Sequence, residues 1–157
     1  FCLSRGLGDV YKRQLFTGAA AVCLAPSPAG AMSAEGQTFL TRTNAVRAYW
    51  RQAPLQDNVT LDAKATWWAD AMAATHSLVE SPLTLGVGTQ PWTMLGENVG
   101  VQPMPNANPD LSLFNSFVAS APHFDNLVNA GFTQMGVGVA RAADGTLWVA
   151  EEFGRLG

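Results

Sequence analysis

Two histidines, His76 and His123, and a few acids in glycine-rich or apolar settings are the residues here whose types could do chemistry. Two imidazoles held beside a carboxylate make a minimal divalent-metal site, because both donor types suit ions such as zinc. Leu61, Ala65, Trp68, Met72 and His76 recur at helical spacing, which predicts His76 at the C-terminal end of a helix's inward face. A core histidine bonded to a backbone carbonyl, favoured there by the helix dipole, fits the same position. His123 follows "SAP" and reads as a site residue or as a polar group closing a turn. Glu97 lies in "LGENVG", where Gly96 and Gly100 allow a tight backbone path that aims a carboxylate inward; a solvated loop acid is the alternative. Glu151 and Glu152 are adjacent in an apolar strand, so they point to opposite faces. With a two-residue Asp144-Gly145 turn, Glu151 pairs with Gly138 on the small-residue face, and a one-residue slip reverses the two acids. No nucleophile elbow, H-E-x-x-H helix, P-loop or dinucleotide fingerprint is present.

The elements that must position these groups follow from periodicity and punctuation. A first helix is predicted from about Ala34 to Arg51, capped by Ser33, with Phe39, Thr43, Val46 and Trp50 as its stripe. A second starts at Thr60. Residues 77–107 show no clean period and are rich in glycine and proline, as an irregular functional stretch would be. Asn108-Pro109-Asp110 opens a third helix with Leu111, Phe114, Phe117 and Val118 inward, and another helical turn runs from His123 toward Asn129. "QMGVGVAR" and "TLWVAEEF" then read as a hairpin whose Gly/Gly/Ala face receives a closely packed neighbour. The whole is an α+β layered domain.

A chain of 157 residues suits one domain. With 13% charged residues and a net charge of −3, it is no nucleic-acid binder built on basic patches. Leu15–Ala31 has the parts of a signal peptide, with cleavage after Ala31 expected and Ala34 next; its apolar run is too short for a stable membrane span. Val22 before Cys23 fits a lipobox poorly. Cys2 and Cys23 both precede Ala31, so the domain has no disulfide. Ahead of this segment, "SRGLGDVYKRQ" translates without mismatch a nucleotide string resembling a transposase adapter used in sequencing libraries. Residues 1–14 are therefore expected to be adapter sequence, 15–31 a truncated signal peptide and 32–157 the domain. On that reading Lys12 and Arg13 lend no support to export.

"FLTRTNAVRAYW", "PLQDNVTLDAKATWWADAMAATHS", "LGENVG", "SAPHFDNLVNAGFTQMGVGVA" and "LWVAEEFG" occur in order. Together they resemble the cysteine-free bacterial branch of the CAP superfamily, the domain shared by cysteine-rich secretory proteins, antigen 5 and pathogenesis-related proteins. The resemblance spans Glu35 to Gly154. It implies a three-layer α-β-α sandwich, with His76 as first cavity histidine, Glu97 as the acid of a "GEN" motif and His123 as the histidine of an "SPGH" motif. It implies that these three line a cleft and, with a second acid, can hold a divalent metal such as zinc; the hairpin register adds Glu151 to the residues expected in the cleft. Asn44, Arg47 and Asn126 match structural positions. Ser120-Ala121-Pro122-His123-Phe124 departs from the family's "SPGHR", and no acid follows Phe117 where eukaryotic members have Trp-x-x-Glu, leaving two histidines and one acid with water to complete a shell. The expected function is a secreted or envelope-associated, monomeric binding module for a lipid-like, peptide or cell-wall ligand. The alternatives are a metal-dependent extracellular peptide or ester hydrolase, or a purely structural or interaction domain.

Overall fold

The computed structural model describes residues 2–6 and 32–157. The expected signal segment 15–31 and most of the adapter-like stretch lie outside the described residues. In chain order the elements are β1 (Cys2–Gly6), α1 (Ala34–Tyr49), β2 (Gln56–Asp57), α2 (Val59–Thr75), β3 (Trp92–Gln102), α3 (Pro109–Ala119), α4 (Ala121–Val128), β4 (Gln134–Arg141) and β5 (Leu147–Leu156). The strands form one sheet in the order β1-β3-β5-β4-β2, antiparallel except where short β2 joins β4. Helix α2 covers one face; α1, α3 and α4 cover the other. This is the expected three-layer α+β sandwich.

Sheet and α2 approach so closely because β4 offers no side chain between them. A Cβ on Gly136 would lie 2.2 Å from the carbonyl carbon of Leu61, and one on Gly138 would lie 2.1 Å from that of Ala65. The expected close neighbour of the bare face is thus the α2 backbone itself. Ala65, Ala69, Met72, Ala140, Trp148 and Ala150 fill the rest of this interface. On the opposite face Phe39, Leu113, Phe114, Phe117, Phe132, Val149 and Phe153 make the larger core. Arg47 is buried within the layer, its guanidinium donating to the carbonyls of Ala53, Leu127, Asn129 and Phe132. Asn44 exchanges two hydrogen bonds with the backbone of Leu55.

Several boundaries differ from the sequence expectation. Asn58, not Thr60, caps α2, its Oδ1 accepting from the amides of Thr60 and Leu61. Trp50 lies beyond α1 and is exposed. The stretch 92–102, expected to be irregular, is the longest strand. Its glycines mark crowding rather than turns, since a Cβ on Gly96 would meet the Phe132 ring and one on Gly100 would meet Leu113 and Phe117. The hairpin loop is also one residue longer than expected. Gly145 N–H donates to Ala142, Gly145 sits at φ 83°, and Ala142 N–H donates to Thr146, the pattern of a turn followed by a left-handed bulge residue.

Candidate functional site

The longer loop decides where the two adjacent acids go. With an odd loop the register shifts by one: Glu152 pairs with Gly136 and Glu151 with Val137. The placement of Glu151 on the small-residue face is therefore corrected, and Glu152 takes that face. Across the other side of β5, Glu152 pairs with Glu97 and Glu151 with Asn98. Alternation along the strands sends Glu97 and Glu152 toward α2, and sends Asn98 and Glu151 toward α4.

On the α2 face the two glutamates meet Lys64. Its ammonium lies 2.6 Å from Glu152 Oε2 and 3.8 Å from Glu97 Oε1, and all three side chains are fully buried. The Ser81 amide donates to Glu97 Oε2 at 2.7 Å, closing the cluster with the segment after α2. Burial, then the neighbouring Glu97 charge, push the Glu152 carboxyl well above the usual carboxylate range, against the pull of Lys64. Lys64 escaped the sequence reading, although its position carried a signal: three residues after Leu61 and four before Trp68, it falls on the inward stripe of α2.

On the α4 face a chain of amides joins the strand to the helix. Asn98 donates to Glu151 Oε2 at 3.0 Å and to the His123 carbonyl at 3.3 Å. Asn126 donates to Asn98 Oδ1 and to the Glu97 carbonyl. The His123 ring is buried against Phe117, with Nδ1 2.7 Å from Ser120 Oγ. Burial pushes the Glu151 carboxyl up to about 8, the Asn98 hydrogen bond opposing part of the rise.

His76 lies apart from both groups. Helix α2 ends at Thr75, and His76 takes the left-handed cap position at φ 48°. That turn swings its side chain off the inward stripe, and the residue is exposed, with its ring edge-on to Trp148 at 6.2 Å. It borders an open depression of about 400 Å³, lined also by Asp70, Ala73, Ala74, Ala140, Arg141 and Ala142. The Arg141 guanidinium turns to the opposite sheet face, where it binds Glu35 of α1 at 2.6 Å and Asp110 of α3 at 3.2 Å while remaining partly exposed.

The structure thus does not bring His76, Glu97 and His123 together. Glu97 projects toward α2, His123 belongs to the opposite helical layer, and His76 stands at the surface. Among the described residues no three or more His, Cys, Asp or Glu side chains are placed to hold a metal ion. Among the described residues the donor set does not fit the zinc implied by the resemblance.

Residues 40–151 match the sequence profile of the cysteine-rich secretory protein family, CAP. The chain belongs to the CAP family. Solved structures similar to this CAP domain include an outer surface protein from Borrelia burgdorferi, at 14% identity and a TM-score of 0.68, covering 82% of this chain and 99% of that one. An extracellular SCP-domain protein from Bacillus anthracis aligns at 21% identity and a TM-score of 0.63, over 77% of this chain and 40% of its own length. NaASP2 with Zn2+ aligns at 15% identity and a TM-score of 0.58, over 81% of this chain and 83% of that one. At such identities these likenesses speak for the fold. No curated protein sequence matches the chain. Among the described residues no helix is long and apolar enough to cross a membrane.

Proposed function

We propose that this CAP domain is an extracellular, non-catalytic binding module, and that a peptide segment occupies the open depression beside His76. The observation that carries the reading is the contrast between that depression and the buried acids. Its volume lies within the range of ordinary ligand sites. Its floor is alanine from α2 and β4, and its rim offers an acid, Asp70, beside the imidazole of His76. An acid and an imidazole around a small apolar floor suit a peptide, which carries donors, acceptors and charged ends along a narrow backbone. By contrast Glu97, Glu151 and Glu152 are wholly buried, and each is tied to a donor of this chain. No water or scissile bond reaches them without the layers separating, which argues against hydrolysis.

Two titrations test the proposal. A pool of short peptides bearing Arg and Asp should move the amide resonances of residues 70–76 and 140–143, and His76→Ala should weaken that response at least tenfold. Zinc should bind the wild type and a His76→Ala, His123→Ala pair equally weakly by calorimetry. Micromolar zinc binding lost in the double variant would overturn the reading and restore a histidine metal site.

A further inference from the structure

Lys64 is the only lysine in residues 32–157, and it is fully buried within α2. Its Nζ lies 2.6 Å from Glu152 Oε2 on β5 and 3.8 Å from Glu97 Oε1 on β3. Two acids thus face one base, and among the described residues Glu97 Oε1 and Glu152 Oε1 are buried without a hydrogen-bond donor. The surroundings hold all three groups in place. The α2 backbone is seated directly on Gly136 and Gly138 of β4. Gly86 packs over the Lys64 stem, where a Cβ would stand 3.5 Å from Cγ, and the Ser81 amide fixes Glu97 at Oε2.

An ion pair so placed is a costly way to join two elements, since both ions give up their hydration for one contact. The same placement is what amide formation requires. In water an ammonium and a carboxylate do not condense, because hydration favours the charged forms over the neutral amine and acid that react. Here burial has removed that hydration, keeps bulk water from reversing the bond, and holds the partners at contact distance. From this we propose that Lys64 and Glu152 condense after folding into an intramolecular isopeptide bond, with Glu97 carrying the proton between the reacting atoms. The ion pair of this structure is the state before the bond. The Lys64 ammonium first passes a proton to Glu152 Oε2. The nitrogen lone pair then attacks Glu152 Cδ, and the C=O electron pair moves to Oε1. Glu97 takes a proton from the nitrogen and returns it to the hydroxyl at Oε2. The C–Oε2 bond breaks, water leaves and the carbonyl re-forms. One ammonium and one carboxylate become one amide and one water, with Glu97 unchanged and the new N–H available to it as a donor. The bond staples α2 to β5 across 88 positions of sequence. It needs no oxidant, and residues 32–157 hold no cysteine that could staple the layers otherwise. It draws on the buried cluster alone and is independent of the depression beside His76.

The test is the intact mass of the full chain, purified folded and then denatured, together with a tryptic map. The wild type should be lighter than its sequence mass by one water. Trypsin should leave Lys64 uncut and release 52–141 joined to 142–155 as one branched species. Glu97→Gln keeps both reacting groups and should retain the full mass, as should Lys64→Arg, with circular dichroism showing whether each variant is folded. The wild-type mass decides even where a variant does not fold: a chain that keeps its full mass through prolonged folded incubation would overturn the proposal. So would a water loss that maps to a succinimide at Asp144-Gly145 instead of to a branched species. A branched species that persists in folded Glu97→Gln would overturn the proton-carrying role of Glu97.

Discussion

Glu151→Gln isolates the energetic consequence of burying a carboxyl in the α4 face. The wild-type group titrates near 8 in the folded protein, against an ordinary 4.5, because burial outweighs the Asn98 hydrogen bond. A raised folded value means that the native state holds the proton more tightly than the unfolded chain. Its stabilising contribution is therefore complete below about pH 4.5 and is lost progressively as pH rises toward 8. At about 1.4 kcal/mol per unit, the loss between pH 4.5 and 7 comes to about 3 kcal/mol. Glutamine keeps the shape and the acceptor for Asn98 Nδ2 but has no proton to lose. Equilibrium urea unfolding at pH 5, 6, 7 and 8 should give similar stabilities for the two proteins at pH 5. A gap favouring the variant should then open to about 3 kcal/mol at pH 7. Asp62, pushed up to about 7 chiefly by burial, and Glu152 also destabilise the fold as pH rises, but they do so in both chains and cancel in the difference. A difference that stays constant from pH 5 to 8 would refute the reasoning, because Glu151 would then be ionised or solvated in the native state.

Lys64→Met should lower stability by about 3–5 kcal/mol at pH 7 in urea unfolding, the usual cost of removing one partner from a buried ion pair. Gly138→Ala should cost about 3 kcal/mol or more in the same assay, because the new methyl would sit 2.1 Å from the Ala65 carbonyl carbon and force α2 off the sheet. His76→Gly should raise thermal stability by up to about 1 kcal/mol by relieving the left-handed cap, and should weaken peptide binding in the adjoining depression. A loss of stability in that variant would mean that the Trp148 contact outweighs the backbone strain.

The layers were legible in the sequence because each rests on a local signal: the stripes of α1 and α2, the Asn108-Pro109 opening of α3, and the alternation of the closing hairpin. What escaped depends on partners distant in sequence. Gly96 and Gly100 read as flexibility, yet what requires them is the pressure of Phe132, Leu113 and Phe117 on a straight strand. Had 92–102 been recognised as a strand, alternation alone would have parted Glu97 from Asn98 and shown that one acid and the α4 layer face different ways. The hairpin error was a single loop residue, and period-2 geometry turned it into an exchange of Glu151 for Glu152.

His76 failed for a related reason. Helical spacing was carried one residue past the helix end, where the backbone turns left-handed and the stripe no longer exists. Motif matching could not repair this, because it aligns residue types and is blind to the face on which each lands. Lys64 shows the converse, since no chemistry was assigned to it, yet it lies between Glu97, which the sequence had marked as functional, and Glu152, which it had not. In this CAP domain burial and strand parity sort the acids, so the groups that resemble a metal site in one dimension are divided among two sheet faces and the surface.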